Sequence, residues 1–446
     1  MAVVTLGCAK NLVDSETMLA TLEGAGFSTT PDLESADAIV VNTCGFIKDA
    51  VEESKGTLRR VLRMKGKGRC RAVICAGCLT QRYRQSLVEQ FPEIDGFVGV
   101  NSLQAIGQAV RLALQGERPV LVEEQPAPFD VPSPRRLSTP PWTAYLRIAE
   151  GCDNACSFCT IPQIRGPQRS RPLERLLEEA RTLASAGVKE IDLIAQDTTR
   201  YGLDLEPKAT LADLLRRLEE VDGLRWIRVL YGHPSFVTPE LIEAIAASEK
   251  VCHYLDLPIQ HVSREVLRGM NRGGGAREFA RLFHHVREKM PDVALRTTLL
   301  VGFPGESERD FEELLAFVEE TRFDWLGAFA FSREEGTAAY DLANQVPAAV
   351  KRRRLRRIMN AQRRISRARN EDWIGKEIEV VVEGQHNGAW VGRWKRAAPE
   401  VDGQVLFTGR SAALRPGEFL RARVTAAQDY DLVVTRSRPG TSNLRS

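Results

Sequence analysis

The stretch Gly151-Cys152-Asp153-Asn154-Ala155-Cys156-Ser157-Phe158-Cys159 places three thiols within eight residues, separated by three and then two residues. A tight loop with that spacing can wrap one face of a cubane iron–sulfur cluster. Four cysteines would saturate such a cluster. Three leave one iron open, much as a catalytic zinc keeps one position for its substrate. The spacing does not match the electron-transfer pattern C-x2-C-x2-C-x3-C-P. A zinc knuckle competes, but zinc wants a fourth Cys or His nearby, and the closest His in sequence is His233.

Around this loop the chain alternates strand and helix patterns. Strands are expected at Ala144–Ile148, Glu190–Ile194, Trp226–Leu230, His253–Leu257, Ala294–Val301 and Trp325–Phe331. Helical spacing lies between them, at Leu173–Ala186, Leu211–Val221, Pro239–Ala247, Phe279–Lys289 and Arg309–Thr321. Six units in about 200 residues fall short of the eight of a full barrel. The expectation is an α/β chain with a central partial (βα)6, TIM-like barrel over 142–345. The cysteine loop follows its first strand, at the edge where barrel active sites lie.

Upstream, residues 1–116 repeat the β-α pattern and should form an open parallel α/β sheet. Three of its strand runs end in cysteine: Gly7-Cys8, Asn42-Thr43-Cys44 and Ala76-Gly77-Cys78. The carboxyl edge of an open parallel sheet is where ligands gather, so these three thiols can converge on one ion or cluster. Buried structural cysteines are the competing reading. Cys75 rivals Cys78, because Cys75-x-x-Cys78 could be a redox pair; its place inside an apolar run favours Cys78 as the ligand. Cys70 and Cys252 read as structural.

Residues 117–141 are Pro-rich and read as a linker. Residues 346–375 hold a helix with ten Lys or Arg between Lys351 and Arg369 and no acid. It reads as a solvated face with some arginines paired to acids of the neighbouring barrel; a contact to RNA is the competing reading. Short strands separated by Gly turns over 376–437 suggest a small antiparallel, OB-like β-barrel, and 438–446 a disordered tail. The chain has 446 residues, a formal charge of +3 and 43% hydrophobic residues. That excludes a disordered polyelectrolyte. No apolar run of membrane-spanning length and no secretory signal is visible, so a cytoplasmic protein without membrane partners is expected. No P-loop, GxGxxG after a strand or Ser-His-Asp grouping appears, which leaves hydrolase and nucleotide-phosphate readings without support. His233, His253 and His261 lie near strand ends, and none is assigned a catalytic role.

C-x3-C-x-aromatic-C resembles the signature of the radical S-adenosylmethionine enzymes. The resemblance implies that Cys152, Cys156 and Cys159 hold a 4Fe-4S cluster whose open iron binds the cofactor and cleaves it to a 5′-deoxyadenosyl radical. It implies cofactor contacts at Phe158, Gln196, Gln260, Val301 and Gly302, at the loop and at strand ends. From Leu6 to about Thr435 the chain is similar to the methylthiotransferases. That family has a second 4Fe-4S cluster, whose ligands match Cys8, Cys44 and Cys78, and a C-terminal TRAM domain that recognises substrate. The enzyme replaces hydrogen on an unactivated carbon with a methylthio group. One S-adenosylmethionine donates the methyl group and another the radical.

Two branches compete. One modifies adenosine in transfer RNA, the other an aspartate of ribosomal protein S-twelve at its β-carbon. Leu6-Gly7-Cys8-Ala9-Lys10-Asn11-Leu12-Val13-Asp14-Ser15-Glu16, Val41–Ile47, Tyr254–His261, Phe331–Thr337 and Ala398–Gly403 resemble the second. The implied partners are that ribosomal protein, an electron donor of flavodoxin or ferredoxin type and a sulfur source. From Lys376 to Arg436 there are 9 Lys or Arg and 8 Asp or Glu. A nearly neutral barrel suits a protein substrate better than RNA. Glu400 and Asp402 are candidate contacts to a basic ribosomal protein, against the plainer reading of a solvated acidic turn. A non-catalytic iron–sulfur or RNA-binding protein on the ribosome is the alternative of another class.

Overall fold

The computed structural model describes residues 1–125, 134–409 and 414–437. The 438–446 tail and part of the 117–141 segment lie outside the described residues. The N-terminal sheet is β1 (Ala2–Thr5), β2 (Ala38–Thr43), β3 (Ala72–Gly77), β4 (Gly96–Gly99) and β5 (Val120–Leu121), all parallel and in that order. The fifth strand is a difference from the sequence reading. Val120 and Leu121 are too short a run to register as a strand, yet they pair with Phe97 and Val98 inside the presumed linker. Helices α1 (Ala9–Gly24), α2 (Lys48–Leu62), α3 (Cys78–Gln90) and α4 (Ile106–Leu114) cover the sheet. Alternation along the strands feeds two cores: Ile39, Val41 and Val73 pack with α2 and α3, while Val40, Ile74 and Val98 pack with α1 and α4.

The central domain holds six parallel strands: β6 (Thr143–Arg147), β9 (Glu190–Ile194), β10 (Trp226–Val229), β11 (Tyr254–Asp256), β12 (Ala294–Val301) and β13 (Trp325–Ala330). A short hairpin of β7 (Ala149–Glu150) and β8 (Arg169–Ser170) brackets the cysteine loop. The six strands form two triplets, β6-β9-β10 and β11-β12-β13, joined by a bridge at Ile227 and Val251. Helices α5 (Ile161–Arg165), α6 (Leu173–Ser185), α7 (Leu211–Glu219), α8 (Pro239–Ala246), α9 (Arg264–Gly269), α10 (Ala276–Lys289) and α11 (Glu308–Thr321) complete the domain. Capping boxes, Thr210 with Asp213 and Ser307 with Asp310, start α7 and α11.

Alternate strand residues divide the labour. Leu146, Leu193, Ile227, Leu255 and Leu299 join the large apolar core. The intervening residues include Arg147, Asp192, Arg228, Asp256 and Arg296, so the other face of the sheet carries charge. Residues of this face pair with one another and with the small barrel. Glu190 takes Arg228 and Arg393, Trp226 donates to Glu379, and Trp325 donates to the Arg396 carbonyl.

The basic stretch is one helix, α12 (Ala348–Glu371), packed along β13 and α11. Its arginines largely meet acids of α11: Arg354 bonds Glu308, and Arg357 bonds Glu312 through both oxygens. Arg369 meets Asp324, and Arg363 and Arg367 lie near Asp429 of the small barrel. The acids come mainly from a neighbouring helix of the central domain. The small barrel closes in the order β14 (Glu377–His386), β15 (Ala389–Trp394), β16 (Val405–Phe407), β18 (Leu432–Arg436), β17 (Phe419–Ala427). It is not wholly antiparallel as expected: β16 and β18 pair in parallel. Among the described residues, no helix is long and apolar enough to cross a membrane.

Candidate active site

One cavity of about 490 Å³ lies between the N-terminal sheet and the central strands. All six candidate cysteines wall it: Cys8, Cys44 and Cys78 from one side, Cys152, Cys156 and Cys159 from the other. The three N-terminal loops can meet because of glycine. Gly7 stands at φ +97°, a conformation that residues with a side chain rarely adopt, and a Cβ there would crowd the Cys44 Cβ at 3.0 Å. A Cβ on Gly45 would fall 2.9 Å from the Cys78 carbonyl. Asn11 and Asn42 bind these loops together. The Asn11 amide donates to the carbonyls of Leu6 and Thr43 at 2.8 and 3.1 Å, and the Asn42 amide donates to the Asn11 carbonyl at 2.8 Å. Cys75 is fully buried in β3, where Thr80 donates to its sulfur. It does not reach the cavity, and neither do Cys70 and Cys252.

The second loop is held by its own surroundings. Cys152 N–H donates to the Gly166 carbonyl, Ser157 N–H to Met270, and Ser157 Oγ to Gly269. Asn154 donates to Asp197 at the end of β9, at 2.7 Å. Burial pushes the Cys152 thiol up to about 11 and Cys159 up to about 12. Burial likewise pushes Cys78 up to about 12, against the pull of Arg165, and raises Cys44. An iron that takes these sulfurs must displace their protons. Six soft thiols on one cavity are a donor set suited to iron–sulfur clusters.

An ion-pair network joins the two walls. Arg165, fully buried, donates from Nη2 to Asp14 and Asn11 at 2.8 Å each and lies 3.3 Å from the Cys78 sulfur. Its Nη1 bonds both oxygens of Glu150 at 3.0 Å. Arg147 also reaches Glu150 and Asp14. Burial alone would push the Glu150 carboxyl up, but Arg165 and Arg147, helped by the Gln196 amide, hold it well below the usual carboxylate range. A second buried pair, Arg82 with Glu334 at 3.0 Å, seats the Cys44 loop, since Arg82 also donates to the Gly45 carbonyl at 2.8 Å.

Of the remaining candidates, Phe158, Gln196 and Gln260 line the cavity. Gln196 spends its amide on Glu150, at 2.7 Å. Val301 and Gly302 do not reach the cavity. Val301 packs fully buried in the apolar core, and the Gly302 amide is taken by Glu306. Thr298 of β12 and Phe329 of β13 line the cavity instead.

Asp402 is no surface contact for a substrate. Its carboxylate is buried, accepting from the Tyr254 hydroxyl at 2.7 Å and the Ala398 amide at 2.8 Å, and lies 3.3 Å from Arg296. It latches the small barrel to the central domain. Glu400 is exposed and away from the cavity.

Sequence reading missed Lys10, Arg165, Tyr231 and Arg272, all on the cavity wall. Lys10 lies inside a quoted motif; the others carry no local signal. His233 also lines the cavity, and burial, with Arg272 and Arg200, holds its imidazole down to about 3, so it is neutral.

Residues 1–99 match the Uncharacterized protein family UPF0004, residues 146–318 the Radical SAM superfamily and residues 374–436 the TRAM domain. The chain is 48% identical to the ribosomal protein uS12 methylthiotransferase RimO of Pelotomaculum thermopropionicum, over 97% of this chain and 98% of that one. It is 47% identical to the protein of the same name from Geobacter sulfurreducens, over 97% of each. Among solved structures, the radical S-adenosylmethionine methyltransferase TsrM from Kitasatospora setae shares the fold. The TM-score is 0.57 at 16% identity, covering 76% of this chain and 73% of that one. With relatives this similar along nearly the whole length, the chain belongs to the RimO family of radical SAM methylthiotransferases.

Proposed function

We propose that this enzyme converts an aspartate of ribosomal protein S-twelve to its 3-methylthio derivative. The observation that carries the reading is that both sets of cysteines wall one cavity in a chain of this family. Cys152, Cys156 and Cys159 would hold the 4Fe-4S cluster that, with S-adenosylmethionine, supplies a 5′-deoxyadenosyl radical. Cys8, Cys44 and Cys78 would hold a second 4Fe-4S cluster that keeps sulfur close to the same carbon. A shared cavity suits this chemistry, because sulfur must arrive where hydrogen has just left. Phe158, Gln196 and Gln260 would contact the cofactor. Arg165, tied to both walls, would keep the two sets in register. An electron donor of flavodoxin or ferredoxin type and a sulfur source complete the reaction, with the cytoplasm as its place.

The α12 arginines speak against the transfer RNA branch, since acids of the same chain take many of them. The test is anaerobic. The protein is reconstituted with iron and sulfide and given S-adenosylmethionine, a reductant and either ribosomal protein S-twelve or transfer RNA. A gain of one methylthio group on the ribosomal protein, with 5′-deoxyadenosine released, is expected. The same gain on transfer RNA would move the enzyme to the other branch. No 5′-deoxyadenosine despite two intact clusters would remove the catalytic reading.

A further inference from the structure

Lys10 stands in the first turn of α1, two residues after Cys8, and only 9% of its surface is exposed. Its ammonium lies 3.4 Å from the centre of the Tyr231 ring. Both residues wall the cavity. Among the described residues, no carboxylate or carbonyl bonds this ammonium. The other cations of the cavity are committed. Arg165 serves Asp14 and Glu150. Arg272 donates to the Pro258 carbonyl at 2.7 Å and lies 3.5 Å from the Cys156 sulfur.

Stability does not explain this placement. A cation in the first turn of a helix faces the positive end of the helix dipole. Burying an ammonium against one aromatic face leaves most of its hydration unreplaced. Tyr231 is itself held in an uncommon conformation, with φ +61°. Asp256 accepts from its N–H at 3.0 Å, and its carbonyl accepts from Thr198 N–H at 3.1 Å. The backbone that carries the ring is thus held in place beneath Lys10. The pair forms an open cationic position on the cavity wall, beside Cys8.

We propose that the Lys10 ammonium receives the side-chain carboxylate of the target aspartate. This rests on the reading that the substrate is a protein aspartate. The β-carbon is bonded directly to that carboxylate, so anchoring the carboxylate fixes the reacting carbon one bond away, between the two sets of cysteines. The rival role for Lys10 is a counter-charge to the thiolates of Cys8, Cys44 and Cys78 and nothing more.

The test uses the full, reconstituted chain and ribosomal protein S-twelve as probe. The modified aspartate is located by tandem mass spectrometry and replaced by asparagine. Dissociation constants are then compared for the two forms of the probe. Wild type should bind the aspartate form at least about 30-fold more tightly, the scale of losing one partner of a buried charge pair. Lys10→Arg should keep the preference. Lys10→Gln and Lys10→Met should bind both forms alike. Each preference is a ratio within one variant, so differences in folding yield cancel. Equal binding of both forms by wild type overturns the proposal without any variant. An undiminished ratio in Lys10→Gln also overturns it, and a lowered iron content in that variant would assign the counter-charge role. If wild type modifies the ribosomal protein while the ratios fail, only the role of Lys10 falls. If wild type neither binds nor modifies that protein, the substrate reading falls as well.

Discussion

The two sets of cysteines face one cavity but reach it by different routes. Cys152, Cys156 and Cys159 share one loop, whose shape is held by bonds to its immediate supports, Gly166, Gly269 and Met270. Cys8, Cys44 and Cys78 come from three strand ends. They reach the same cavity because β1, β2 and β3 lie side by side and because Gly7 and Gly45 let their loops come close. The first set is a property of a short sequence. The second is a property of a folded domain, and Arg165 of the other domain touches one of its sulfurs. The loop set should therefore tolerate loosening of the domains, and the assembled set should not.

Cysteine replacements should separate the sets most sharply. Cys156→Ala should end 5′-deoxyadenosine formation altogether. Cys44→Ala should end methylthio transfer while 5′-deoxyadenosine still forms. In each, iron should fall from about eight to about four per chain, the content of one cubane. Loss of both clusters from either single replacement would break the comparison.

A smaller effect is expected from Arg165→Met. It removes a buried cation from Asp14 and Glu150 and leaves them Arg147 as their shared ion-pair partner among the described residues. Breaking a buried pair in this way costs about 3–5 kcal/mol, readable as a lower urea midpoint. The comparison also predicts an unequal loss of iron: the assembled set should lose its cluster first, followed by separate electron paramagnetic resonance signals. Equal loss from both sets would mean that Arg165 serves the whole fold and not the junction.

The same distinction explains how much could be read from the sequence. The loop cysteines stand out by spacing and the strand-end cysteines by position after apolar runs, and the structure brings both sets to one cavity. The period-two and period-3.6 patterns place the six central strands and their helices. What could not be read depends on neighbours distant in sequence. Arg165 looks like any helix-end arginine until Asp14 and Glu150 close on it. Asp402 sits in a Gly-flanked acidic stretch that looks solvated, yet Tyr254 and Arg296 lie over it. Val301 and Gly302 end a strand as expected, but the alternation of that strand turns Val301 into the helix-side core.

The junction between the central domain and the small barrel supplies the control with the smallest effect. There Glu190 and Asp192 are both fully buried, with Arg228 and Arg393 between the domains. Burial raises both carboxyls, but Arg393 and Arg228 overcome it at Glu190 and hold that group below its usual range. Asp192 goes the other way: burial, and then the charge of Glu190, raise it well above the usual carboxylate range. A raised folded value means that Asp192 adds stability below its unfolded pKa and that this stability is lost as pH rises through the folded one. Asp192→Asn should flatten that part of the stability–pH curve. Under conditions where Asp192 keeps its proton, it exchanges one neutral group for another of similar shape. The expected cost is then about 1 kcal/mol or less, the scale of one neutral hydrogen bond. Glu190→Gln should cost about 3–5 kcal/mol, because it strands two buried arginines. Neither change should alter the iron of either cluster, since this junction does not line the cavity. If Asp192→Asn proved as costly as Glu190→Gln, both carboxylates would be charged, and the protonation pattern argued for this junction would be wrong.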